Sequence, residues 1–330
     1  MEQLIIPAII TIIIGFFSVY ALTPIVIKAL EKRNVTVIDV NKKEKTLVAR
    51  PGGLSIIVGI IASLTALYFF FPITEILAIA ITTGLAFIVG IIDDRKTMGG
   101  WFKPLALAFC AVPIILFGAY DSNLDFPLFG SVKIPMLYLA LIVFMIPITG
   151  NTFNSIDVLN GVVSGVSTIA GFALSISLFI VQNYEIAIAC LLLAFASLAF
   201  YRYHKFPSKI FPGDSGALVF GAMYGAIAIV GHVEVIAAVI ILPAVINSFL
   251  FLSSVKKIVE HREIKNPISH TEDWKLKSTI ENHAPITLVR LLVARKPLSE
   301  KQIGIEIFKL AIFSGILGII TAFLMGVELS

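Results

Sequence analysis

The sequence predicts an all-α polytopic membrane protein, in which about ten transmembrane helices form one integral-membrane domain over residues 1–330. Apolar residues make up 58% of the chain and charged residues only 14%, whereas a water-soluble domain is about half apolar and a quarter charged. Apolar segments of roughly 20 residues, long enough to cross a bilayer, recur throughout. We place the spans at 5–29, 53–71, 74–92, 103–120, 134–151, 161–181, 186–202, 215–231, 235–255 and 306–326.

The basic residues are distributed unevenly between the two sides of this arrangement. All Lys and Arg residues except Lys133 lie in 28–50, 95–103, 202–209 and 256–309, which are loops on one side. Because basic loops stay in the cytoplasm, we expect these loops there and both termini outside. The longest of them, 257–304, connects spans nine and ten.

Acids and amides collect at the same predicted cytoplasmic ends. Asp93, Asp94 and Lys103 follow span three, the stretch GNTFNSIDVLNG follows span five, and Asp214 precedes span eight. Ionisable residues at span ends are costly unless they face water, a metal or a partner. Mg²⁺ prefers such oxygen ligands and usually completes its shell with water and phosphate. The pattern therefore predicts a Mg²⁺ site, with Mn²⁺ as an alternative, for a phosphorylated substrate.

Each of these features alone also has a purely structural interpretation. Acids at a span end can anchor the helix, Asn-rich stretches form capped turns, and PGDSGA can simply begin a helix with small residues that pack closely. His204 and His270 are expected to be loop residues. The order of the polar groups and their shared side favour a functional site.

Three stretches resemble the motifs of the polyprenyl-phosphate N-acetylhexosamine-1-phosphate transferases, of the glycosyltransferase family 4 type. They are GIIDDRKTMGGWFKPL, with a lysine ten residues after the first Asp, NTFNSIDVLNG and FPSKIFPGDSG. The first cytoplasmic loop, VIDVNKKEKTLVARPGG, is similar to the family's Asp-x-Asn-Lys element. Among the branches, the chain looks most like the dolichyl-phosphate N-acetylglucosamine-1-phosphotransferases.

The resemblance implies an activity and its participants. N-acetylglucosamine 1-phosphate would pass from UDP-N-acetylglucosamine to a polyprenyl or dolichyl phosphate. The products would be polyprenyl-diphospho-N-acetylglucosamine and UMP, in the first membrane step of N-glycan type assembly. The implied partners are a UDP-N-acetylhexosamine, the lipid phosphate and membrane lipids, with a homodimer as the usual assembly and no nucleic acid.

The resemblance also implies roles for individual residues. The implied catalytic residues are Asp93, Asp94, Lys103 and Asp157. The implied substrate-binding residues are Asn41, Asn151, Asn160, His261 and Arg262, of which Asn160 would face the uracil or ribose and the last two the diphosphate and sugar. The implied metal ligands are Asn154 and Asp214.

Two alternatives remain open at this level. The bacterial branch transfers phospho-N-acetylmuramoyl-pentapeptide or starts other polymers, and typically has a His-rich stretch that EHREIKNPISH does not reproduce. The same stretch also departs from the Arg-His-Arg cluster of the eukaryotic enzymes. A secondary transporter would also have about ten spans, but its ionisable residues would lie near the middle of the membrane.

Overall fold

The computed structural model describes residues 2–96, 99–255, 265–281 and 284–325. Within these ranges the chain is predominantly helical. The helices are α1 (Glu2–Lys32), α2 (Gly53–Phe70), α3 (Thr74–Arg95), α4 (Phe102–Phe109), α5 (Val112–Leu116), α6 (Pro135–Ile156), α7 (Val162–Ile180), α8 (Tyr184–His204), α9 (Gly213–Val230), α10 (Glu234–Ile240), α11 (Leu242–Val255), α12 (Leu288–Leu292) and α13 (Glu300–Met325).

Three short antiparallel hairpins complete the described part of the chain. The strands are β1 (Thr36–Ile38) with β2 (Leu47–Ala49), β3 (Asn123–Phe126) with β4 (Gly130–Lys133), and β5 (Ile268–His270) with β6 (Leu276–Ser278). The third hairpin and α12 lie in the predicted 257–304 loop. His261 and Arg262, the residues expected there to bind substrate, lie outside the described residues.

The predicted fold class is confirmed, but the predicted count of ten continuous spans is not. Of the described helices, α1, α2, α3, α6, α7, α8, α9 and α13 are long and apolar enough to cross a membrane. The pair α10 and α11 adds a ninth if the two helices, which are bent by 75° at their junction, form one span. Pro243 lies just after this break and cannot donate a backbone hydrogen bond to the preceding turn, which favours the interruption.

The predicted span 103–120 is also interrupted. Helix α4 ends at Phe109, four residues before Pro113. Proline cannot donate a hydrogen bond to the carbonyl four residues earlier, and its ring clashes with that carbonyl. The segment nevertheless connects the two ends of the bundle. Lys103 contacts residues at the end where α9 begins, whereas Tyr120 stacks on Tyr138 at the start of α6.

Helix α9 lies at the centre of the bundle and is buried along almost its whole length. Glycines allow its neighbours to touch its backbone. A Cβ on Gly90 of α3 would overlap the Cα of Ser215, and a Cβ on Gly221 of α9 would lie 2.5 Å from the carbonyl oxygen of Thr149 in α6. Small residues permit such close contacts between membrane helices. The N-terminal half of α9 is therefore fixed against the C-terminal parts of α3 and α6.

The contact between α3 and α9 predicts unequal effects for two glycines of α3. Gly90→Ala should lower the melting temperature in detergent by several degrees, because a methyl group forced against backbone costs about 1–3 kcal/mol. Gly84→Ala is the matched control, since no described atom lies within 4 Å of its added Cβ. Equal melting temperatures for the two variants would contradict the close packing.

Candidate active site

The carboxylate of Asp214, in the first turn of α9, lies between two cations. Lys103 Nζ is 2.5 Å from Asp214 Oδ1, and Arg50 Nη2 is 3.1 Å from Asp214 Oδ2. The Asp214 side chain is 18% exposed and that of Arg50 is 41% exposed, so the arginine faces the open side. A carboxylate so far removed from water requires charge partners of this kind.

The adjacent acids Asp93 and Asp94 have different partners, because neighbouring residues on an α-helix point about 100° apart. Asp93 Oδ2 lies 2.8 Å from Lys103 Nζ. Asp94, whose side chain is only 3% exposed, accepts the backbone N–H groups of Asp214 and Ser215, each at 2.9 Å. Asp94 therefore holds the N-terminus of α9, where a negative charge is favourable, and so fixes the position of Asp214.

Arg50 reaches the site because β2 continues alongside the segment before α9. Ala49 pairs with Ile210, and the N–H of Gly52 donates to the carbonyl of Phe211 at 2.8 Å. Gly213 makes the turn that follows with a φ of +71°, a conformation that favours glycine. The end of the first loop and the segment leading into the GDSG turn are therefore hydrogen-bonded to each other.

The end of α6 supplies further polar groups at this point. The Asn154 amide interacts with the Asp214 carboxylate. Asp157, immediately after α6, lies near Arg50, Asp214 and Asp94, and burial, opposed by Arg50 but reinforced by both acids, raises its pKa to about 7. Asn151 turns back to donate to the Pro147 carbonyl of its own helix at 2.9 Å. The structure thus brings Asn154 and Asp157 to the acids of α3 and α9.

Asn160 is the centre of a second, buried polar group. Its Nδ2 donates to Glu300 Oε1 at 2.5 Å and to Asp39 Oδ2 at 3.1 Å, and its Oδ1 accepts the N–H of Ser208 at 2.7 Å. Asn41 is nearby and donates its backbone N–H to Asp39 Oδ1. These bonds connect the first loop, the start of α7, the loop after α8 and the start of α13. The predicted contacts of Asn160 and Asn41 with a nucleotide remain predictions.

His204 is not the loop residue that the sequence suggested. It is the last residue of α8, which continues two residues beyond the predicted span 186–202, and it is fully buried. Its Nδ1 lies 2.9 Å from Ser164 Oγ, and its Nε2 lies 3.7 Å from Asp157 Oδ1. His270 lies in the predicted 257–304 loop, as expected. It is the last residue of strand β5 and stacks on Trp274.

Several residues of the site were absent from the sequence prediction, namely Arg50, Asp39, Glu300, Ser164 and His204. Arg50 and Asp39 lie within the first-loop stretch that resembles the family, so a charged residue beside the Pro-Gly-Gly turn was an available clue. Glu300 begins α13, far away in sequence, and no local pattern marks it.

The predicted metal ligands fit Mg²⁺ as a sparsely coordinated ion. Across the described ranges, no three His, Cys, Asp or Glu side chains converge as a metal site. Asp214 and Asn154 provide one carboxylate and one amide at the same point. Mg²⁺ commonly binds through one or two carboxylates and takes its other ligands from water and substrate phosphates, so the donor types present are compatible with such a site.

The chain is similar to proteins of one known family. Residues 76–232 match the family described as glycosyl transferase family 4. This range contains both acids of α3, Lys103, the end of α6 and Asp214, but not Arg50.

Three relatives cover most of the chain. A Saccharolobus solfataricus protein, provisionally named a UDP-N-acetylglucosamine–dolichyl-phosphate N-acetylglucosaminephosphotransferase, is 31% identical over 73% of this chain and 76% of its own. A provisionally named glycosyltransferase of Methanocaldococcus jannaschii is 30% identical over 86% of both chains. The phospho-N-acetylmuramoyl-pentapeptide-transferase of Staphylococcus haemolyticus is 30% identical over 69% of this chain and 77% of its own. The chain therefore belongs to glycosyl transferase family 4, as a membrane enzyme of its polyprenyl-phosphate sugar-1-phosphate transferase class.

Proposed function

We propose that this enzyme transfers N-acetylglucosamine 1-phosphate from UDP-N-acetylglucosamine to a polyprenyl phosphate of the dolichyl type and releases UMP. The product would be a polyprenyl-diphospho-N-acetylglucosamine, the first membrane intermediate of an N-glycan type assembly. The observation that carries the proposal is the convergence of Asp214, Lys103, Arg50 and Asn154 at one end of the bundle. The names of the archaeal relatives support the donor and the acceptor.

The reaction joins two anions, so charge compensation is the main demand on the site. An oxygen of the lipid phosphate forms a bond to the β-phosphorus of the UDP-sugar, and the bond from that phosphorus to the UMP oxygen breaks. We favour this direct attack over a double displacement through a covalent aspartyl intermediate. Arg50 and Lys103 would bind phosphate oxygens and offset the charge that accumulates between the reactants.

Asp214 and Asn154 would hold Mg²⁺, which when bound neutralises the diphosphate and stabilises the leaving UMP. Asp94 would act indirectly, because its carboxylate is already bonded to the backbone of α9. Asp157 has no strong ion pair in the described structure, and burial raises its pKa to about 7, so it would serve as the proton acceptor.

The placement of the site follows from its two substrates. A lipid phosphate stays at the membrane surface, whereas a nucleotide sugar is dissolved in the cytosol. With the basic loops in the cytoplasm, the end that contains Asp214 would be cytoplasmic and both termini would lie outside. A homodimer remains a prediction from the family.

Asp214→Asn tests the reaction and the metal site together. Wild-type protein in detergent should release UMP from UDP-N-acetylglucosamine only with both dolichyl phosphate and Mg²⁺. The variant should lose about 10²-fold or more in kcat, because its neutral amide neither balances the two cations nor binds Mg²⁺ well. Asp121→Asn, an exposed acid at the opposite end of the bundle, is the control. Full activity of Asp214→Asn would refute the site.

Arg50 should contribute to phosphate binding although it lies outside the matched family region. We expect Arg50→Gln to lower kcat/KM for the UDP-sugar by about tenfold or more, since it removes a charge-assisted contact. The matched control is Arg202→Gln, which changes an exposed arginine near the end of α8 and should leave kcat/KM within about twofold of wild type. Steady-state UMP release at varied UDP-sugar decides between these results.

The bacterial-type donor is the second candidate, because a relative with that function is nearly as similar as the archaeal ones. We expect UDP-N-acetylglucosamine to be used with a kcat/KM at least 10²-fold above that of UDP-N-acetylmuramoyl-pentapeptide. Competition between the two donors for one limiting lipid phosphate, read by mass spectrometry of the lipid product, measures the ratio. Predominant transfer of the pentapeptide sugar would place the enzyme in the other branch.

A further inference from the structure

His204 is a histidine at the functional end of the bundle that neither the family motifs nor the proposed reaction uses. It is fully buried in the packed structure, between the rings of Phe200 and Phe211, whose centroids lie 5.7 and 6.1 Å from its own. Apolar packing alone does not account for an imidazole here, because a buried polar ring normally needs partners for both nitrogens.

The two ring nitrogens of His204 have unequal environments. Nδ1 is 2.9 Å from the hydroxyl of Ser164, which is itself buried on α7. Nε2 is completely shielded from solvent and has no hydrogen-bond partner among the described residues. The nearest acidic atom to it is Asp157 Oδ1, at 3.7 Å. When the Ser164 hydroxyl donates to Nδ1, the proton of the neutral ring lies on Nε2 and is available to Asp157.

We propose that His204 is a positioning residue for Asp157, which it orients through an Nε2–H bond when the substrates are bound. The inference rests on the proposed function, in which Asp157 acts as the proton acceptor. The gap of 3.7 Å is longer than a hydrogen bond, but a change of less than about 1 Å closes it, and such bonds often tighten only in the substrate complex.

The surroundings of the Asp157 carboxylate explain why it needs a hydrogen-bond donor such as His204. Asp157 follows the last residue of α6, and its backbone N–H donates to the Asn154 carbonyl at 3.3 Å. Arg50 attracts its carboxylate, whereas Asp214 and Asp94 repel it. A donor on the buried side would hold the carboxylate in one orientation against these opposing charges, with Ser164 fixing the imidazole in turn.

Two conservative variants, His204→Gln and His204→Asn, distinguish the roles of the two ring nitrogens. Gln carries its amide nitrogen roughly where His has Nε2, and Asn carries it roughly where His has Nδ1. We expect His204→Asn and His204→Phe to lower kcat about tenfold or more, in the range typical of residues that orient a reacting group. KM for the UDP-sugar should stay within about twofold of the wild-type value. His204→Gln should recover a substantial part of the lost kcat.

A double-mutant cycle excludes a purely structural role. In the Asp157→Asn background, His204→Phe should cause no further loss of kcat, because the group that it orients is already changed. Additive losses, or equal kcat values for the Gln and Asn variants, would overturn the inference. Melting temperatures of all variants identify any that fail to fold, and Ser164→Ala, which should lower kcat by less than His204→Phe, then provides the test without altering the ring.

Failure of this inference is distinguishable from failure of the proposed function. If wild-type protein releases no UMP with any UDP-sugar, the proposed function fails. If the wild type is active and His204→Phe retains the wild-type kcat, the function stands and His204 is only a packing residue.

Discussion

The end of the bundle at which α9 begins depends on one carboxylate, that of Asp214 in the first turn of this buried helix. A charge in that position is unfavourable unless it is compensated. Two cations compensate it, one from the segment before α2 and one from α4. Asp94 adds a further constraint through its bonds to the backbone of α9. Arg50, Asp94 and Lys103, which come from three different segments, therefore all contact the first turn of α9.

Helix packing and site geometry are consequences of the same contacts. The backbone of α9 approaches α3 at Gly90 and α6 at Thr149 because glycines remove the side chains between them. The approach to α3 brings Asp93 and Asp94 to the first turn of α9, and the approach to α6 brings Asn154 there. A separation larger by one methyl group would lengthen charge contacts that are now 2.5–3.1 Å. Packing in the interior of the bundle thus determines the electrostatics at its end.

The sequence predicted the fold class well because apolar runs and clustered charges are local patterns. It also identified most acids of the site, which lie next to long apolar segments. It missed Arg50, whose place depends on the pairing of Ala49 with Ile210, two residues that are far apart in the chain. It misjudged His204, because nearby basic residues and Pro207 are typical of a loop. Pro113 lies inside the predicted span 103–120 and favours a break there, but the prediction rested on the apolar character of the segment alone.

The distribution of polar groups along the spans favours a transferase over a transporter on physical grounds, in agreement with the family. A transporter needs ionisable or solvated groups along a path through the bundle. In the described spans, interior hydroxyls such as those of Thr83, Ser167 and Ser177 donate to carbonyls four residues earlier in their own helices. Hydroxyls bonded in this way offer no relay across the membrane. The Asp93, Asp94 and Asp214 carboxylates and their cations instead meet at one end, where an anion anchored in lipid and a soluble anion can be brought together.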